Sequence, residues 1–133
     1  MTKAIIYLRS ATGNRKQTRQ QEADCREYLR ERDLTDACTI TDTGHPQDGL
    51  AHLIDAATKT GATEVVVADL SRLGRKPPTS MQNFDALDDA GLTIHVASGA
   101  LTGPVADECT RDMVYLFAAE DAQRLHGRRE PGA

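Results

Sequence analysis

Short, uncharged, β-branched runs alternate along this chain with longer stretches in which apolar residues return every three or four positions. Ala4 to Arg9 is apolar until its arginine and predicts a first strand, after which Ser10 to Asn14 is a small polar turn. Between Arg15 and Arg32, Ala23, Cys25, Tyr28 and Leu29 form a stripe among many charges, which predicts an amphipathic helix with a wet outer face. Ala37 to Thr41 predicts a weaker second strand ending at Asp42. Leu50, Leu53, Ile54 and Ala57 then occupy the i, i+3, i+4, i+7 positions of a second helix closed by Gly61.

Val65, Val66 and Val67 read as a central strand covered on both faces, because no polar residue alternates with them. After Pro77-Pro78, Thr79 or Ser80 caps a third helix that turns Met81, Phe84 and Leu87 inward and Asp85, Asp88 and Asp89 to water, with Gly91 as its end. Leu92 to Ala97 predicts a fourth strand and Gly99 to Pro104 a loop. A last helix is expected from about Asp107 toward Leu125, with Met113, Leu116 and Phe117 on its apolar side. Strands and helices alternating at these lengths imply an α/β fold: a mostly parallel sheet of about four strands flanked by helices.

The totals narrow the class. A chain of 133 residues supports one domain with one core. Hydrophobic content of 39% with 27% charged residues fits a globular protein, and no apolar run approaches a membrane span or a signal peptide's central segment, so the expected location is cytoplasmic, with no membrane partner. Cys25, Cys38 and Cys109 are odd in number and far apart, which indicates neither a disulfide framework nor a zinc site. His45, His52, His95 and His126 are scattered, so neither a metal cluster nor a Ser-His-Asp arrangement is visible. The net charge of −4 argues against tight free-standing binding to DNA and leaves only local contacts open.

The strongest chemical signal follows the valine run. In Asp69-Leu70-Ser71-Arg72-Leu73-Gly74-Arg75 two arginines stand three residues apart just beyond a strand's carboxyl end, where open α/β sheets bind ligands. Two guanidiniums held together require an anion, and their planar forks suit phosphate oxygens. The alternative at this point is that Arg72 and Arg75 are ordinary surface charges.

Leu70-Ser71-Arg72-Leu73-Gly74-Arg75 after a valine strand resembles the serine site-specific recombinases, the resolvases and invertases. Tyr7-Leu8-Arg9-Ser10-Ala11-Thr12 is similar to that family's opening motif, tyrosine-x-arginine-x-serine-threonine. Gln20 sits where the family has a glutamine at the start of its first helix, and Asp42, Gly44 and Gln47-Asp48-Gly49-Leu50 are similar to a further segment. The resemblance implies a resolvase-like catalytic domain over residues 1–126, a flexible tail over 127–133, no C-terminal DNA-binding domain, and no metal or organic cofactor. It also implies DNA cleavage and rejoining through a phosphoserine link. Arg9, Arg72 and Arg75 would stabilise the phosphorane-like charge, and Gln20 would join them in binding the DNA phosphate.

The chain departs from that pattern where the chemistry is done. In this register the nucleophile's position holds Ala11, which has no hydroxyl. Loss of a hydroxyl nucleophile costs on the order of a million-fold in rate, about 8 kcal/mol of barrier. Gln47 replaces an arginine that helps bind the phosphate, and Ser71 stands where many members have aspartate. The expectation is a catalytically degenerate copy with a structural or regulatory role, holding DNA weakly and pairing through its last helix with itself or with an active recombinase. Two alternatives stay open: an active recombinase that uses Ser10 for strand cleavage, and a flavodoxin-like domain that binds a small ligand, although the first turn lacks a Gly-x-Gly-x-x-Gly fingerprint.

Overall fold

A computed structural model describes residues 2–10, 15–43, 47–69, 77–98 and 103–105. The elements are β1 (Lys3–Ser10), α1 (Arg15–Arg32), β2 (Thr35–Thr43), α2 (Gln47–Thr60), β3 (Glu64–Val67), α3 (Pro77–Asp89), β4 (Thr93–Val96) and β5 (Gly103–Val105). They build one five-stranded sheet in the order β2-β1-β3-β4-β5. The first four strands pair in parallel, and β5 joins β4 antiparallel.

The apolar alternation of β1 decides how the layers close. Ile5 and Tyr7 join Leu53, Val65, Val67, Phe84 and Leu87 in a core beneath α2 and α3. Ala4, Ile6 and Leu8 join Cys25, Tyr28, Leu29 and Val66 in a second core beneath α1. The valine run thus contributes to both faces, as expected for a strand with helices above and below it. Beside β1, strand β2 carries Ala37 as an extra residue, since Ala4 aligns with Asp36 and Ile5 with Cys38. Beyond this bulge the strands stay in step, and Arg9 lies beside Asp42.

Helix ends follow the local sequence. Gly91 takes φ of +82°, Leu92 N–H donates to Leu87 O at 3.1 Å and Gly91 N–H to Asp88 O at 2.9 Å, the paired bonds that close a helix through a left-handed residue. Asp33 performs the same turn after α1 with φ of +56°, a conformation that aspartate tolerates better than most side chains.

Three expectations are corrected. The sheet gains a fifth strand, because Gly103–Val105, expected to fall within a loop through Pro104, pairs with Val96, His95 and Ile94. Helix α3 begins at Pro77 rather than after a Thr79 or Ser80 cap; proline suits a first helical turn, where backbone N–H groups have no helical acceptor. Ala23 is exposed, and Gln21 takes its place on the buried stripe of α1. The expected last helix and the 127–133 tail lie outside the described residues, as does the Gly99 end of the expected loop.

Candidate functional site

The carboxyl ends of β1 and β3 meet at the sheet's switch point, where β1 leads outward to β2 through α1 while the later strands add on the other side. Pairing between β1 and β3 runs as far as Tyr7 opposite Val67. Past that point the two strands take different partners. On β3, Ala68 O accepts from Ser98 N–H at 2.7 Å and from Ser98 Oγ at 2.9 Å, so this end follows β4.

On β1, the peptide groups of Arg9 turn instead to a side chain. Arg9 N–H donates to Gln21 Oε1 at 3.0 Å, and Gln21 Nε2 donates to Arg9 O at 2.8 Å. The primary amide of Gln21 offers one acceptor and one donor side by side, as a neighbouring strand would. It is 3% exposed, and it satisfies main-chain groups that a missing strand would leave costly and bare. The end of β1, paired with β2 on one side, is therefore fixed by α1 on the side where β3 no longer pairs with it.

That fixation sets the direction of the site residues. Alternation carries Arg9 to the Tyr7 face and Ser10 to the α1 face, and Ser10 remains in the ladder opposite Thr43. Arg9 is 6% exposed and Ser10 has no exposed surface. Tyr7 donates its hydroxyl to Asp42 Oδ2 at 3.0 Å. Burial first, then the charge and hydrogen bond of Asp42, push the phenol well above its usual range, while the Arg9 charge opposes them. Tyr7 is thus a proton-retaining core residue that anchors a carboxylate beside the arginine's strand.

The remaining predicted residues separate. Gln20 is exposed on α1 and donates to Asp24 Oδ1 at 3.1 Å, one turn along the same helix. Ala11, Thr12, Ser71, Arg72 and Arg75 lie outside the described residues, and Gln47 opens α2. Asp69 is half-buried just after β3. Gln21 was not singled out by the sequence reading. Its signal was nonetheless present, since it lies four residues before Cys25 and seven before Tyr28, a polar residue on an apolar stripe.

Another polar group sits under α1. The Cys25 thiol is pushed up to about 12, first by burial and then by the charges of Asp24, Asp69 and Glu22, which keeps it protonated and unreactive. Among the described residues, no group of three His, Cys, Asp or Glu side chains converges as a metal site.

The sequence model of the family described as "Resolvase, N terminal domain" matches residues 4–132. The chain belongs to the resolvase family of serine recombinases. Its fold is also that of solved resolvase-family domains. The N-terminal catalytic domain of TP901-1 integrase superposes with a TM-score of 0.70 at 16% identity, covering 94% of this chain and 98% of that one. A resolvase family site-specific recombinase from Streptococcus pneumoniae gives 0.72 at 14% identity, over 97% and 93% of the two chains. The C-terminal catalytic domain of ISC1926 TnpA, an IS607-like serine recombinase, gives 0.63 at 15% identity, over 94% and 99%. No curated protein sequence matches the chain. Within the resolvase fold, Arg9, Ser10 and Gln21 occupy the end of the first strand and the helix that covers it.

Proposed function

We propose that this resolvase-family domain has lost DNA strand cleavage and acts in a structural or regulatory role, holding a DNA phosphate weakly or pairing with a second copy or an active recombinase through the stretch from about Asp107 toward Leu125. The reading assigns residues 1–126 to the catalytic domain, with cytoplasmic location. Arg9, Arg72 and Arg75 are the phosphate-holding cations, with Gln20 an outer contact. The position of the attacking hydroxyl is taken by Ala11.

One observation carries the reading: Ser10, a hydroxyl next to Ala11, is fully buried and held in the sheet opposite Thr43, on the opposite face from Arg9. A nucleophile must come within about 3–3.5 Å of the phosphorus in line with its leaving group. A hydroxyl inside the α1 interface reaches DNA only if the strand end is rebuilt, and the two bonds from Gln21 to Arg9 oppose that. The net charge of −4 is in keeping with weak phosphate contact.

The deciding experiment incubates the chain with supercoiled DNA under conditions that trap covalent protein–DNA complexes. The expected result is no protein-linked 5′ end from the native sequence and the appearance of one in Ala11→Ser. Capture by the native chain that disappears in Ser10→Ala would overturn the assignment and establish Ser10 as the nucleophile.

A further inference from the structure

Under α1 lies a buried histidine. His95 in β4 is 7% exposed, and its Nδ1 lies 2.7 Å from Tyr28 Oη of α1. Its Nε2 is 3.9 Å from Glu64 Oε1 of β3 and has no hydrogen-bond partner among the described residues. The two rings meet edge-on at 66° with centroids 5.5 Å apart. A neutral imidazole carries one proton, and the carboxylate on the Nε2 side places it there, leaving Nδ1 to accept from the tyrosine O–H.

The same contacts extend to the sheet's edge. Arg32, in the last turn of α1, stands with Cζ 5.3 Å from the Tyr28 ring centroid, a cation over an aromatic face. Its Nη2 passes Gly103, 3.7 Å from where a side-chain carbon would begin. On β5, Pro104 pairs opposite His95, and Gly103 and Val105 flank it. This edge strand contributes no ionisable side chain. Three residues of antiparallel pairing, one of them a proline without an N–H, give β5 little backbone hold of its own.

We propose that His95 is a proton-operated latch: neutral, it ties α1 to the β4–β5 edge, and protonated, it releases β5 from the sheet. The charged groups that act on His95 are Glu64, which favours the cation, and Arg32, which opposes it, while burial disfavours the charge most. On protonation Nδ1 becomes a donor, the Tyr28 hydroxyl must reverse to accept it, and a second cation appears beside the Arg32 guanidinium. Both changes strain the contacts by which α1 reaches Gly103. The latch operates independently of any DNA chemistry at the Arg9 end.

Amide hydrogen exchange on the full chain, at about pH 7.5 and about pH 5.5 and corrected for intrinsic exchange, tests the latch. Protection at residues 93–96 and 103–105 is expected to fall by up to about tenfold at the lower pH while β1 keeps its protection, and His95→Gln is expected to abolish the difference. Uniform loss across the sheet, or an unchanged pH effect in His95→Gln, would overturn it. Should His95→Gln not fold, an NMR titration of the native chain decides the matter. Support is titration of the His95 ring together with shifts of the β5 amides. A ring that titrates without moving those amides, or that stays neutral until global unfolding, refutes the latch.

Discussion

The two faces of the sheet are built from the same strands but do different work. Beneath α2 and α3 the core is large and mostly apolar, with Ile5, Leu53, Val65, Val67, Phe84 and Leu87 closed to water and Tyr7 and the buried Arg9 as polar members toward the end of β1. Beneath α1 the apolar cluster is smaller and shares its space with Ser10, Gln21 and His95, all buried. Apolar burial is non-directional and supplies bulk stability, whereas buried polar groups are tolerated only in fixed, partnered geometry. The first face gives the sheet a floor; the second decides where the end of β1 and the edge of β4 are held. A strand that alternates strictly between such faces can separate stability from positioning, one residue at a time.

Substitutions sharpen that contrast. Phe84→Ala, on the apolar face, is expected to cost about 3–5 kcal/mol, read as a fall in the urea midpoint, since a large side chain is deleted from a closed core. Gln21→Leu keeps the side chain's bulk but strips partners from the buried peptide groups of Arg9, an expected loss of about 2–3 kcal/mol in the same measurement. A loss below about 0.5 kcal/mol would show that water or a local shift replaces the amide, and the positional role of this face would fall.

A pH series separates the faces in another way. Burial lowers the His95 pKa from its ordinary 6.5, so the unfolded chain binds the proton more readily than the folded one. The stability from neutral His95 is fully present above pH 6.5 and declines as the pH falls from there toward the lowered folded value. Melting temperatures of the native chain and His95→Gln are therefore expected to diverge above that range and converge below it. The smallest effect belongs to the surface: Arg26 bridges Glu22 at 2.8 Å and Asp36 at 2.7 Å, yet all three are substantially exposed. Arg26→Ala is expected to cost no more than about 1 kcal/mol, and less at high salt.

Much of the layer pattern was legible in the residues. The bounds Arg15 and Arg32 of α1 follow from the charge-rich stripe, Gly61 and Gly91 stand at the ends of α2 and α3, and the valine run is the doubly covered strand. Where reading failed, a distant partner had decided the outcome. Gly103-Pro104-Val105 carries glycine and proline and no usable period, and it is a strand only because β4 lies beside it. Gln20 and Gln21 are chemically identical and adjacent. Only the rotation of α1 against the sheet sends one to solvent and the other to the peptide of Arg9.

The sequence by itself determined the succession of strands and helices, the family, and the absence of a hydroxyl at position 11, because periodicity, motif and residue type are local properties. The tertiary structure alone decided that Ser10 is closed off from solvent, that Gln21 stands in for a strand, and that His95 shares a proton contact with Tyr28. Each of these joins groups 12 or more positions apart or depends on which face a helix presents. Such contacts follow from packing, where only a few arrangements fill the core and still satisfy the buried polar atoms.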